Sequence, residues 1–393
     1  MSRAPGQKDD SGLLGVFVAL AVQNGATNLI SVFVPLLLMK NGAGFRGVCL
    51  FYVVYSLVKL AADYPCARLV VRAGARNSLL AGFVLSSLYV LLLNDRVAGA
   101  SQWLSYLAAG LLACSNALVW TAQHMHISQA LNLRRRGTDI VRMDFLARAG
   151  NLLAPVLGSA VVWLAGESTL LVTAAALCAL SIVPMWSADR DRPPATAADI
   201  PRVRLSSAPP GDLAANMAFV AHSTVNLTVW PLYLAVVLGG FTEIGVLTTG
   251  AGLVSFLVVL VAGRRTDGGR SRRVLWEGSV LSSALHLLRP LATGPVSTAL
   301  VTACSRTAGS YQRIAWTGIY YGHAQHKGKE YVSALELSGD VGGVLTWLTV
   351  LAVWAASASA RSALSAVFIL GALSAVGVML VRREAEEHVG NIG

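Results

Sequence analysis

Long apolar runs recur along this 393-residue chain from about residue 12 to residue 381, and they constrain its fold more than any other feature. A helix needs roughly 20 apolar residues to cross the ~30 Å hydrocarbon core of a bilayer, and most of these runs have that length. Only 13% of the residues are charged, whereas a soluble domain carries about 25%. The pattern therefore argues against a soluble globular protein and predicts an all-α integral membrane protein.

Twelve of these runs are bounded by charged residues or by clusters of glycine and proline, and each is predicted to be one membrane span. The first six cover about 12–38, 47–68, 77–94, 99–127, 138–165 and 167–187. The second six cover about 212–239, 243–263, 274–292, 295–320, 329–357 and 362–381. A polar, proline-rich stretch separates the two sets. We expect an N-terminal six-helix bundle over 1–186, a cytoplasmic linker over 187–211 and a C-terminal six-helix bundle over 212–393.

Positive charges predict the orientation, because Lys and Arg accumulate in cytoplasmic loops. With twelve spans and a cytoplasmic N-terminus, twenty-two basic residues fall on the inner side and five on the outer side. The outer five are Lys40, Arg46, Arg96, Arg289 and Arg361. We therefore expect both termini in the cytoplasm and the chain in the cytoplasmic (inner) membrane. The net charge of +11 then reflects cytoplasmic loops, and nucleic acid is not an expected partner.

Three short segments of the first half recur in the same order in the second half. The matched pairs are Phe17-Val18-Ala19 with Phe219-Val220-Ala221, Trp120-Thr121 with Trp316-Thr317, and residues 137–141 with 328–332. Their order indicates a duplicated six-helix unit.

The loop between spans 2 and 3, with its counterpart in the second half, follows a degraded form of the pattern Gly-x-x-x-Asp-Arg-x-Gly-x-Arg. The residues kept are Arg72, Gly74 and Arg76 in the first copy and Gly263 and Asp267 in the second. Ala67 and Val71 replace the glycine and the aspartate of the first copy. With twelve spans and a duplication, the whole chain resembles the major facilitator superfamily. That resemblance implies two bundles related by a pseudo-two-fold axis around a central cavity, with these loops taking part in conformational change.

Small residues in span 5, from Gly150 through Pro155 and Gly158 to Ser159, are similar to a Gly-Pro-rich stretch of proton-coupled drug antiporters in that superfamily. The alternative is that they only let neighbouring helices pack closely.

Ionisable residues inside the predicted spans are functional candidates, because each costs a few kcal/mol or more in hydrocarbon. The candidates for coupling or gating are Lys59, Asp63, Asp144, Glu336 and Asp340. Lys59 and Asp63 share a helix face at i,i+4, so a structural ion pair is as plausible there as a coupling site.

Arg148 and Asp340 lie at comparable depths in spans 5 and 11, and we hypothesise that they face each other as a gate, or part when a substrate anion binds Arg148. The alternative is that Arg148 pairs with Asp144 on its own helix. Arg306, near the middle of span 10, binds an anion or pairs with a residue such as Glu336.

His222 and Asn226 lie one turn apart on one face of span 7, and the superfamily fold places spans 1 and 7 along the cavity. The residues predicted to bind substrate are Asn24, Asn28, Arg148, His222, Asn226 and Arg306. Interhelical hydrogen bonding is the alternative role for the polar face of span 7. The histidine spacings do not favour a metal site.

No nucleophile elbow, phosphate-binding loop or His-Glu-x-x-His motif is present, so we expect no enzyme, cofactor or metal. The predicted function is secondary active transport of a small polar or anionic solute by alternating access, coupled to protons or another ion. The expected partners are that solute, the coupling ion and the lipid bilayer, with a monomer because the loops are short. Two alternatives stay open: a proton-coupled exporter of drugs or lipophilic compounds, and a transporter-like scaffold or assembly factor that no longer transports.

Overall fold

A computed structural model describes residues 10–94, 101–130, 136–187, 204–265 and 271–382, and these residues are almost entirely helical. The helices of the first half are α1 (Asp10–Ser31), α2 (Val34–Lys40), α3 (Gly44–Ala73), α4 (Ala75–Leu92), α5 (Gln102–Ala130), α6 (Arg136–Ala165) and α7 (Glu167–Leu180). Those of the second half are α8 (Pro210–Thr224), α9 (Trp230–Val237), α10 (Phe241–Arg265), α11 (Ser271–Leu288), α12 (Pro295–Ala355) and α13 (Ala360–Gly377).

Each predicted span overlaps one of these helices. By length and composition, seven helices of the described chain are able to cross a membrane, counting α8 and α9 as one, or eight if the bent pair α1 and α2 is also one span. The count of twelve spans stays a prediction.

Two spans are irregular near a proline. Helices α1 and α2 meet at 45°, and Pro35 stands in the first turn of α2, where its missing N–H is tolerated. Between α8 and α9, residues Val225–Val229 form a π-helical turn, and Pro231 follows in the first turn of α9. Proline cannot donate to the carbonyl four residues back and its ring crowds that carbonyl, which accounts for the wider turn. The π-helical turn carries Asn226.

Glycines with a positive φ make several of the tight connections between helices. Gly74 has φ 85° and is the single residue between α3 and α4, so the part of the loop pattern that this chain keeps is a tight turn. Arg76 Nε donates to the Met185 carbonyl at 3.0 Å and ties this turn to the end of the first half. Gly328, with φ 77°, breaks α12 into two helices. In the second copy of the loop, Gly263 lies in α10 and Asp267 falls outside the described residues.

The two halves pack mainly within themselves. In the first half α1 lies against α6 and α7, and α4 and α5 pack on each other and on neighbouring helices; in the second, α12 contacts α8, α10 and α11. The most extensive contacts between the halves join three helix pairs, α6 with α10, α3 with α12, and α2 with α9. The domain boundaries themselves stay a prediction.

Apolar packing between the halves is concentrated at one end of the molecule, which we call the closed end. There Tyr52 of α3 stacks on Trp347 of α12 with ring centroids 4.4 Å apart, and Phe33 lies 5.2 Å from Phe241. One buried cluster includes residues of both halves at this end. At the opposite end, where α1 and α4 begin, the described residues form separate clusters in the first and second halves. Among the described residues, the halves therefore share apolar packing at the closed end alone.

Candidate functional site

A cavity of about 490 Å³ lies between the halves, within the usual range for a small-molecule site. Its walls come from α1 and α6 of the first half and, in the second, from α8 to α10, α12 and the short turn at Arg289. Three arginines line it, Arg289, Arg306 and Arg313, and no Asp or Glu stands among its described lining residues. The described part of the cavity wall is therefore electropositive.

Four side chains at the closed end of the cavity form a continuous hydrogen-bonded circuit, which we call the polar ring: Asn226, His222, His286 and Arg289. Nδ1 of His222 lies 2.9 Å from Nε2 of His286, and Asn226 Nδ2 lies 3.0 Å from Nε2 of His222. Arg289 closes the circuit, since it donates to Nδ1 of His286 at 2.9 Å and to Oδ1 of Asn226. His222 and Asn226, predicted to share a polar face, are thus joined to two residues beyond their own span.

Arg289 was counted on the outer side from the sequence, and the structure corrects this. Its side chain is only 1% exposed, and its guanidinium carbon lies 4.7 Å from the Trp230 ring centroid and 5.4 Å from that of Phe368. A short 3-10 turn, Arg289–Leu291, continues α11, so the side chain lies along the same face as His286. The available signal was this spacing of three residues inside the predicted span 274–292.

Arg289 has no acidic partner among the described residues, and its Nε is buried without a hydrogen-bond acceptor there. Contacts with the two aromatic faces offset part of its desolvation, because a cation is attracted to the negative face of a ring. A buried cation of this kind is normally paired or ligand-bound. The ring therefore has the chemistry to hold an anion.

Arg306 is exposed into the cavity, and one of its terminal nitrogens donates to the Thr248 carbonyl at 3.0 Å. Glu336, considered above as its partner, is exposed elsewhere and accepts from the Tyr320 hydroxyl at 3.3 Å. The structure therefore places Arg306 where a solute can reach it and puts Glu336 outside the cavity lining.

The two asparagines of span 1 that were predicted to bind substrate differ in their position relative to the cavity. Asn28 lines the cavity and donates to Oδ1 of Asn151 on α6 at 3.0 Å, a bond that joins two helices of the first half. Asn24 is half-buried and does not belong to the cavity lining.

Lys59 bridges the two halves at mid-depth. Its Nζ lies 2.6 Å from Oδ1 of Asp340 on α12 and 3.0 Å from Oδ2 of Asp63 on its own helix. We call these three residues the carboxylate triad. The second oxygen of Asp340 is buried and has no hydrogen-bond partner among the described residues. The triad holds one positive and two negative groups when all three are ionised.

The carboxylate triad includes Asp340, which was predicted to form a gate with Arg148. Asp340 meets Lys59 because α3 packs against α12, so an ion pair that we did not predict joins the halves there. The side chains of Arg148 and Asp144 fall outside the described residues, so the pairing of Arg148 with Asp340, and the alternative pairing with Asp144, both stay predictions.

The small residues of span 5 have a packing role. A Cβ on Gly158 would lie 2.3 Å from the Leu29 carbonyl oxygen of α1, and one on Gly245 of α10 would lie 2.7 Å from the Pro155 carbonyl oxygen. Helix α6 therefore approaches α1 and α10 at backbone distance. This geometry favours close packing as the explanation of the stretch.

Comparison with known proteins was made at the level of family, curated sequence and structure. The family model for the Major Facilitator Superfamily matches residues 16–213, about half of the chain. No curated protein matches the sequence. One similar solved structure is a bacterial homolog of the human lysosomal transporter Spinster, in an inward-facing and unoccupied conformation. The two share 14% identity over 95% of each chain with a TM-score of 0.64, which shows a common fold.

The family match and the structural similarity both agree with the helical architecture and with a cavity between the two halves. The chain belongs to the major facilitator superfamily and is a multi-pass membrane transporter.

Proposed function

We propose that this protein is a secondary active transporter that moves a small polar or anionic solute across the cytoplasmic membrane by alternating access. It does so with twelve spans in two six-helix bundles, 1–186 and 212–393, joined by a cytoplasmic linker, and with both termini inside. The observation that carries this proposal is the cavity, which three arginines line without a carboxylate among its described residues. In a low-dielectric wall such arginines favour an anion strongly over a cation.

Alternating access is supported by where the halves touch. They share apolar packing at the closed end, and each half has its own cluster at the opposite end. The positive-inside bias assigns the opposite end to the cytoplasm. The cavity then faces inward in this conformation.

The test is a thermal-shift screen of purified protein in detergent against a library of metabolites and drugs at two pH values. A ligand that binds only the native state raises the melting temperature. We expect organic anions to stabilise the protein and Arg306→Ala to remove that effect. Counterflow of a hit in proteoliposomes then measures transport. Stabilisation confined to lipophilic cations would replace this proposal with drug export, and ligand binding without counterflow would replace it with a scaffold role.

Coupling to protons is assigned to the carboxylate triad. Lys59 satisfies one oxygen of Asp340, and the buried second oxygen has no partner among the described residues, so that second oxygen is where a proton would bind. Protonation of Asp340 would weaken its ion pair with Lys59 and so release a contact between the halves. Asp340→Asn mimics the protonated state.

We expect Asp340→Asn proteoliposomes to retain counterflow but to lose uptake driven by an imposed pH gradient. Wild-type uptake that does not respond to the pH gradient would refute proton coupling and leave transport itself unaffected.

A further inference from the structure

We propose that the polar ring is a carboxylate subsite of the cavity, in which the amide of Asn226 occupies the place that a carboxylate of the solute takes. This inference rests on the proposed transport of an anion and names the group that is recognised. The same ring binds sulfonates and phosphates less well, because its open position is planar.

The first argument is a count of hydrogens. The ring has four contacts, and each contact accommodates one hydrogen. Arg289 supplies two, the Asn226 amide one and each neutral imidazole one, so five hydrogens meet four contacts. The excess is independent of how the asparagine is turned and of which nitrogen carries each imidazole proton. At least one contact therefore sets one N–H against another.

A carboxylate removes this conflict. If its two oxygens replace the amide of Asn226, one accepts from Arg289 and the other accepts from Nε2–H of His222. Nε2–H of His286 then donates to Nδ1 of His222, and Arg289 donates to Nδ1 of His286. Each of the four contacts now has one donor and one acceptor. The O–C–O group also has the flat shape of the amide that it replaces.

Charge points to the same ligand. Arg289 is buried between Trp230 and Phe368 without an acidic partner among the described residues, and Asn226 gives it only a neutral acceptor. A carboxylate in that place makes a charge-assisted hydrogen bond, which is about twice as strong as a neutral one.

The solute reaches the ring through Asn226. The other three members are at most 2% exposed, whereas Asn226 is half-buried and lines the cavity from the π-helical turn. Space lies beside it, because a Cβ on Gly309 would still be 3.5 Å from its Nδ2. The amide can turn towards that space and leave its place beside His222 and Arg289 to the carboxylate.

The test is a substitution that replaces the side-chain amide of Asn226 with a carboxylate attached to the chain. Asn226→Asp is expected to raise the melting temperature of the ligand-free protein and to weaken carboxylate binding at least tenfold, since the site is then filled. Binding is measured by calorimetry and thermal shift on purified full-length protein in detergent. The probes are acetate to octanoate and benzoate, the matching alkylsulfonates and alkyl phosphates, and the matching primary amides.

The matched control is Asn151→Asp, which adds the same charge to the cavity wall on α6 of the first half. We expect it to weaken binding by the general effect of charge, less than Asn226→Asp does, and to give no rise in melting temperature. A second variant, Arg289→Gln, keeps hydrogen-bond donors but removes the charge and is expected to lose carboxylate binding. It keeps the proposal testable if Asn226→Asp does not fold.

The outcomes separate the two proposals. Carboxylates that bind wild type and Asn226→Asp equally would overturn the subsite and leave anion transport standing. A wild-type preference for the sulfonates or phosphates would replace the carboxylate by a tetrahedral oxyanion and overturn the subsite as stated. If none of the acidic probes binds wild type, both proposals fail. Loss in Asn226→Asp and Arg289→Gln, with a smaller loss in Asn151→Asp, supports the subsite.

Discussion

Two cations between the helices, Lys59 and Arg289, differ in how their charge is compensated. Lys59 is compensated twice, by Asp63 and Asp340, whereas Arg289 has aromatic faces, imidazoles and an amide but no carboxylate among the described residues. A compensated cation joins two helices. An uncompensated one is ready to receive an anion from outside. The same physical rule, that a buried charge needs a partner, thus distinguishes a contact between the halves from the site that we propose for an anion.

Lys59 and Asp340 are expected to be energetically coupled. Lys59→Met leaves two carboxylates without their cation and should lower the free energy of unfolding by about 3 kcal/mol, as for other buried ion pairs that lose one partner. Asp340→Asn should cost less, because Lys59 keeps Asp63. The double variant should be destabilised by less than the sum of the two. Unfolding in mixed detergent micelles measures all three.

The control is Lys40→Met, which breaks an exposed pair with Glu167 at 2.6 Å. Its effect should stay within about 1 kcal/mol, the usual range for exposed pairs. Strict additivity of the Lys59 and Asp340 substitutions would show that the two groups do not stabilise each other.

At the scale of helices, glycine decides how closely elements approach and where they turn. Gly158 lets α6 touch the backbone of α1, while Gly328 ends one helix of α12 and begins the next. The first role depends on the missing side chain and the second on a positive φ. Each role predicts a different response to alanine.

Gly158→Ala is expected to destabilise the protein by about 1–3 kcal/mol, because the added methyl lies 2.3 Å from a backbone oxygen and the helices must separate. Gly110→Ala is the matched control on α5, where no atom lies within 4 Å of the new methyl. It should be neutral or slightly stabilising, since alanine favours a helix. Melting temperatures in detergent distinguish them, and equal effects of the two changes would argue against close packing at Gly158.

Gly328→Ala tests the turn in α12. Its φ of 77° is costly for an L-residue by about 1–2 kcal/mol. The turn also brings His323 and Tyr331 to the fully buried Asp212, whose Oδ2 accepts from the tyrosine hydroxyl at 2.9 Å and lies 3.2 Å from Nδ1 of His323. We expect a lower melting temperature than in Gly318→Ala, a control in the same helix with open space at its Cβ. A Gly328→Ala protein as stable as that control would contradict the strain.

At the scale of the whole molecule, alternating access requires the packing at the closed end to separate. Tyr52 and Trp347 stack there across the two halves with an interplanar angle of 9°, and both are nearly buried. Loss of a buried tryptophan costs about 3–5 kcal/mol. That loss falls on the conformation in which the closed end is packed, so the population should shift towards the other conformation.

Trp347→Ala is therefore expected to lengthen the distance between spin labels placed at Arg46 and Ala358, which flank the closed end on the two halves. Double electron–electron resonance measures that distance in a background without the native cysteines. Trp163→Ala is the control, because Trp163 is 79% exposed and lies in the first half. An unchanged distance in Trp347→Ala would mean that this stack does not hold the end closed.

Much of the architecture could be predicted from the sequence. Apolar length, charge bias and the turn at Gly74 are local properties, and each predicted span overlaps a helix. One pair of the carboxylate triad could be predicted, because Lys59 and Asp63 are four residues apart and therefore lie on the same helix face. Its third member, Asp340, lies 281 residues away from Lys59, and spacing carries no information on such a contact.

The sequence alone determined which segments are apolar helices and which ionisable groups lie within them, because both follow from local composition and helical period. Tertiary structure decided which of those groups meet. It joined Lys59 to Asp340, and it placed Arg289, which the sequence count had put on the outer side, in the polar ring. The reason is physical: the partner of a buried charge is set by helix packing between the two halves, and the energy of that charge depends on every neighbour at once.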